Sequence, residues 1–179
     1  MANDEMENIL KQVAELMALS ARTAPKAGGQ DYVVLKVLVG EDLARLGQAM
    51  EQYGKDTGKV NFDRDGRNVA NSAAVLLVGL KDARTVGLNC GACGKDKCAL
   101  LEAEGHDGPE FFGPVCAWRL IDLGIAIGSA AKTAGILNAD NRIMYRAGVL
   151  ARKLGMIDAD IVAAIPLAGT GKSIYFDRR

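Results

Sequence analysis

The four cysteines of this 179-residue chain, Cys90, Cys93, Cys98 and Cys116, follow the spacing C-x2-C-x4-C-x17-C. Three thiols close together and a fourth further on are the arrangement of a chain wrapped around an inorganic cluster. Glycines follow the first two (Cys90-Gly91-Ala92-Cys93-Gly94), so the backbone can turn tightly and aim N–H groups at sulfur. The pattern points to an iron–sulfur centre of the [4Fe–4S] type, with these four thiolates as its ligands.

Other uses of the thiols follow different patterns. Four cysteines fall short of a disulfide scaffold, and a chain of this length buries a core without staples. Structural zinc usually takes two short ligand pairs, each closing its own knuckle, whereas only one Cys-x-x-Cys pair exists here. His106 is the chain's one imidazole and lies in an acidic, Gly-rich stretch (Glu104-Gly105-His106-Asp107-Gly108), where a solvated side chain is expected. A plant-type [2Fe–2S] site uses C-x4-C-x2-C, the reverse of the two gaps found here. Zinc and [2Fe–2S] stay as alternatives to [4Fe–4S]. Lys95 and Lys97 beside the thiols read as a basic docking rim or as an ordinary polar loop. Trp118, just past the fourth cysteine, reads as a shield against water.

The elements that must carry this centre show in the hydrophobic periodicity. Ile9, Leu10, Val13, Leu16, Met17 and Leu19 have helical spacing over about 5–20. Gly28-Gly29 breaks the chain before a β-rich run at 32–39, and residues 41–53 return to helical spacing. Asp65-Gly66 reads as a turn, and a short helix is expected to lead into Ala73-Ala74-Val75-Leu76-Leu77-Val78. That apolar run should be a strand buried on both faces. The cysteine-bearing insert spans about 84–120. After it, Gly124, Gly128 and Ala131 put a smooth stripe on a helix running from Asp122, and close approach by another helix or a cofactor would offset the glycines' poor helix propensity. Asp140 is expected to cap a helix over 141–154 that ends at Gly155, and Ile161–Ile165 reads as a last buried strand. The order predicts a mixed α/β or α+β fold, a sandwich of helices on a small mixed sheet, one domain over 1–179, with the iron–sulfur insert set into it.

Charge excludes some partners. The 22 basic and 22 acidic residues balance, so a nucleic-acid or membrane-surface partner is not expected. No run approaches the length of a membrane span, and with no visible secretory signal a cytoplasmic location is expected. The string Ala168-Gly169-Thr170-Gly171-Lys172-Ser173 imitates a phosphate-binding P-loop, but Pro166 stands where that motif needs glycine and too little chain follows to form its helix.

Several segments carry family resemblances. The run Cys-Gly-Ala-Cys-Gly-Lys-Asp-Lys-Cys resembles the CGxCGxxxC motif of corrinoid iron–sulfur proteins and of a subunit of membrane electron-transport complexes, where it binds [4Fe–4S]. Ala21-Arg22-Thr23-Ala24-Pro25-Lys26-Ala27, Asn89-Cys90-Gly-Ala-Cys-Gly, the stretch from Asp122, and Ile165-Pro166-Leu-Ala-Gly-Thr-Gly-Lys172 with Phe176-Asp177-Arg178 look like the bacterial and archaeal ferredoxin-domain proteins of unassigned function. The layout also resembles the FMN-dependent nitroreductases, α+β homodimers with flavin at the subunit interface. That resemblance implies FMN contacts at Arg22, Thr23, Lys26, Lys172 and Arg178, and a homodimer. The chain departs from it in lacking an arginine-rich motif within Met1–Ser20 and in having Lys26, Gly28 and Gly29 where the family has serine and asparagine.

The resulting expectation is an iron–sulfur redox protein that passes electrons between the cluster and a bound flavin, serving a redox partner protein or a small-molecule acceptor as an oxidoreductase. The alternatives are a flavin-free electron carrier or accessory protein, and a zinc-stabilised structural module.

Overall fold

The computed structural model describes residues 3–176. Helix α1 (Asn3–Thr23) carries its apolar stripe at Leu10, Val13, Ala14, Met17 and Ala21. Pro25 and a single 3-10 turn at Ala27–Gly29, with Gly28 at φ 64°, swing the chain into strand β1 (Val33–Leu38). Helices α2 (Glu41–Thr57) and α3 (Phe62–Ala70) follow, then strand β2 (Ala74–Leu80). The long connection after it contains helix α4 (Cys98–Ala103) and a two-stranded ribbon, β3 (His106–Asp107) with β4 (Phe112–Gly113). Helix α5 (Ala117–Ile136), strand β5 (Asp140–Asn141), helix α6 (Tyr145–Lys153) and strand β6 (Ile161–Ala168) complete the chain.

The main sheet has the order β1-β2-β6-β5, and every pair in it is antiparallel, where a mixed sheet was expected. Strand β2 is buried along its whole length, and its side chains alternate between two cores. Val75 and Leu77 join Leu46, Met50, Phe62 and Leu150 from α2, α3 and α6. Leu76, Val78 and Leu80 join Met17 of α1 and Leu123, Ala126 and Ala130 of α5. A two-residue period thus feeds helices on both faces of the sheet. Small residues at four-residue spacing on α5 let α1 approach closely, and Ser20 and Thr133 hydrogen-bond across that contact at 2.6 Å.

Two local expectations need correction. Asp65 and Gly66 lie inside α3 instead of forming a turn. The two helices meet at their glycines: a Cβ on Gly66 would sit 2.6 Å from the Gly47 carbonyl oxygen, and a Cβ on Gly47 equally close to that of Gly66. Buried Asp65 is held there by Arg64 at 2.7 Å and Arg146 at 2.9 Å. Asp140 does not cap a helix. Residues 140 and 141 pair with Ala168 and Leu167 as strand β5, Met144 bridges to Ala164, and α6 begins only at Tyr145. Pairing with the free edge of β6 outcompetes the capping signal. The same helix stops as expected, with Gly155 left-handed at φ 64°.

Candidate metal centre

The connection between β2 and α5 brings its cysteines to the lining of one narrow cavity by left-handed turns. Asn89, Gly91 and Gly94 have φ of 48°, 75° and 82°. Asn89 fixes the register of the loop: its side-chain oxygen accepts from the Cys98 N–H at 2.9 Å, and its own N–H donates to Cys98 Sγ at 3.4 Å. The fourth cysteine arrives from the other side as the N-cap of α5. All four side chains line one narrow cavity, together with Thr85, Leu101 and Trp118, and all four are free thiols. Cys116 is buried and Cys90 is exposed. Among the described residues, no three His, Cys, Asp or Glu side chains converge on a position that could hold a metal ion.

The surroundings favour charge on sulfur. The backbone N–H of Ala92 and then the Trp118 indole lower the Cys90 thiol from its ordinary value, the indole Nε1 lying 3.4 Å from Sγ. Trp118 is therefore a hydrogen-bond donor to Cys90 Sγ, beyond the shield expected from sequence. Cys116 itself sits at the N-terminal end of α5. Lys95 is ion-paired with Glu104 at 2.6 Å and is not a free basic rim. Lys97 precedes α4 as its N-cap residue. His106 is exposed on β3, with Nδ1 2.9 Å from the Glu104 carbonyl oxygen, and does not line the cysteine cavity.

Sequence reasoning missed the pair that anchors this loop to the scaffold. Arg119 is fully buried one turn into α5 and pairs with buried Asp122 at 3.1 Å. Its guanidinium also donates to the Arg84 carbonyl at 2.8 Å, the Ala27 carbonyl at 3.0 Å and the Gln30 side chain, and it lies 4.8 Å from the Tyr32 ring centre. Asp122 accepts from the Ala27 N–H at 2.8 Å. One ion pair thus ties together the start of the cysteine loop, the first turns of α5 and the turn after α1. The signal was present as Arg-x-x-Asp inside an otherwise apolar helix, a spacing that puts both groups on one face.

The residues expected to contact FMN behave differently. Lys26 has a side chain only 6% exposed and donates to the carbonyls of Ala21 at 3.1 Å, Arg22 at 2.5 Å and Ala24 at 2.8 Å, closing the C-terminal end of α1. Arg22 donates to Asp31 at 2.6 Å and to the Val33 carbonyl at 2.7 Å. Burial pushes the Asp31 carboxyl up, but Arg22, the Val33 N–H and Lys26 outweigh it and hold the group below its ordinary value. Thr23 hydrogen-bonds the Leu19 carbonyl at 3.1 Å. Lys172 is exposed beyond β6, on a turn whose Gly169 lies against Met6 and Leu10, near the other end of α1. Leu10 and Arg22 are separated by roughly 18 Å of helix. The cavity at the Gly169 turn, lined in part by Met6, Glu7, Leu10 and Ser72, holds about 160 Å³. Arg178 lies outside the described residues.

Comparison with known proteins gives three findings. Residues 112–178 match the family described as "Uncharacterized protein containing a ferredoxin domain (DUF2148)". That match takes in Cys116 and ends short of the other three thiols. An uncharacterized protein of Archaeoglobus fulgidus is 48% identical over 169 residues, 94% of this chain and 91% of the relative. Among solved structures, a nitroreductase with bound FMN from Desulfitobacterium hafniense superimposes with a TM-score of 0.58 at 12% identity, covering 90% of this chain and 78% of that one. A nitroreductase-like family protein from Bacillus cereus gives 0.55 at 12% identity, covering 94% and 79%. An oxidoreductase containing FMN gives 0.55 at 15% identity, covering 90% and 68%. The fold is therefore nitroreductase-like, and the chain belongs to the family of uncharacterized proteins that contain a ferredoxin domain.

Proposed function

We propose that this chain is an iron–sulfur redox protein whose Cys90, Cys93, Cys98 and Cys116 hold a [4Fe–4S] cluster. The observation that supports this most is the ring of four free thiols around one cavity, met by N–H donors from Ala92, Asn89 and Trp118. Zinc would need four sulfurs within about 2.3 Å of one point. Such a cluster, when bound, takes up and returns one electron at a time. The chain's own groups prepare for that by offsetting negative charge at sulfur and by walling Cys116 off from water.

FMN does not fit the expected residues within one chain. Lys26 and Arg22 already have partners, Lys172 lies near the opposite end of α1, and 160 Å³ falls below the roughly 300 Å³ at which cofactor sites begin. A second reading, flavin held between two copies, is favoured by the FMN-bearing fold neighbours and by one surface. Helix α5 exposes Ile121, Ile125 and Ile136, and a Cβ on Gly124 or Gly128 would have nothing within 4 Å. Each of those glycines costs about 1 kcal/mol relative to alanine in a helix, which close packing of a partner helix would offset.

Cys116→Ala tests the ligand set. The variant, purified without oxygen, should lose the cluster or convert it to a species with a different electron paramagnetic resonance spectrum; unchanged iron and an unchanged spectrum would refute it. Flavin released by denaturing the wild-type protein, read with its mass in solution, decides the second reading. A dimer carrying stoichiometric FMN supports it, and a flavin-free protein rejects it.

A further inference from the structure

A second cavity, of about 640 Å³, lies directly behind the cysteine cavity. Thr85, Leu101 and Cys116 line both, so one layer of side chains separates them. Its volume falls in the range of small-molecule sites, about 300–1,000 Å³. Leu80, Ala83, Phe112 and Val115 supply apolar lining, and Phe112 and Pro114 offer flat surfaces for a ring.

Its charges are unbalanced on one side. Arg152 is paired with Asp107, and Glu102, which accepts from Thr85, faces Arg84. Lys81 alone serves three carboxylates, with its Nζ 3.2 Å from Asp158, 3.6 Å from Asp82 and 3.7 Å from Asp160. Five carboxylates against three cations leave this lining two charges negative. Asp82 and Asp158 are mostly exposed at the rim, where they set the potential an entering molecule meets. A phosphate-bearing flavin or nicotinamide would enter against that field.

We infer that this cavity is a binding site for an aromatic molecule without negative charge, the class that includes neutral quinones and N-alkylpyridinium cations. The assignment rests on the cluster reading only for what lies behind the Cys116 wall. Held there, such a ligand sits next to the cysteine cavity, across the layer formed by Thr85, Leu101 and Cys116.

The test is calorimetric titration of the anaerobically purified, cluster-loaded protein with two oxidised probes, methyl viologen (a dication) and anthraquinone-2,6-disulfonate (a dianion). Methyl viologen should bind with one saturable site, at least tenfold tighter than the disulfonate, and more weakly as salt rises. Asp158→Lys should weaken methyl viologen at least fivefold, and Ala83→Phe, which fills the cavity, should do so independently of charge. No saturable binding, equal affinity for both probes, or indifference to both variants would overturn the site. Iron and sulfide counted in the same samples report on the cluster reading separately, so either assignment can fail without the other.

Discussion

The cysteine loop and the Arg22–Lys26 segment both stood out in the sequence as carriers of chemistry, and the fold treats them in opposite ways. In the loop, left-handed turns at Asn89, Gly91 and Gly94 carry the thiols to a shared cavity, and backbone N–H groups serve sulfur. In the Arg22–Lys26 segment, Lys26 turns back onto the carbonyls that the end of α1 leaves without partners, and Arg22 is taken up by Asp31 and the Val33 carbonyl. A basic residue near a helix C-terminus is therefore poor evidence for an anion site until its neighbours' carbonyls are accounted for. A cysteine has no comparable local partner, so its spacing keeps its meaning.

The tie between the two regions should show the largest effect. Arg119→Met leaves Asp122 buried and unpaired, and chemical denaturation should show a loss of roughly 3–5 kcal/mol. The double change Arg119→Met with Asp122→Leu should recover much of that. A single-variant loss below about 1 kcal/mol would mean the pair anchors nothing. Lys26→Met comes next: losing charged hydrogen bonds to carbonyls at the end of α1 should remove about 1.5–3 kcal/mol of stability, while any flavin content stays as in the wild type. Flavin loss with unchanged stability would reverse the contrast between the two regions. The smallest effect is expected for Trp118→Phe, which removes one N–H from Cys90. Redox titration should show the cluster potential falling, by less than the 59 mV that a tenfold change represents for one electron. A raised or unmoved potential would make the indole a shield alone.

Much of the frame was legible because periodicity reports burial. The stripe of α1, the burial of β2 on both faces and the glycine stop of α6 all follow from which residues leave water. What failed to show depended on partners distant in sequence. Asp65-Gly66 looks like a turn until Gly47 is brought against it, and Asp140 looks like a cap until the edge of β6 offers pairing. In the candidate site, the gathering of the four cysteines was readable and its supports were not. Asn89, Arg119 and Asp122 act through contacts reaching as far as the Ala27 turn, and no local pattern encodes those. The antiparallel sheet was likewise invisible, since strand direction follows from how the helices route the chain.

The most direct test of the central claim is the iron and acid-labile sulfide content of the wild-type protein purified without oxygen. A [4Fe–4S] centre on Cys90, Cys93, Cys98 and Cys116 predicts about four of each per chain. Zinc at about one per chain with no sulfide would contradict it.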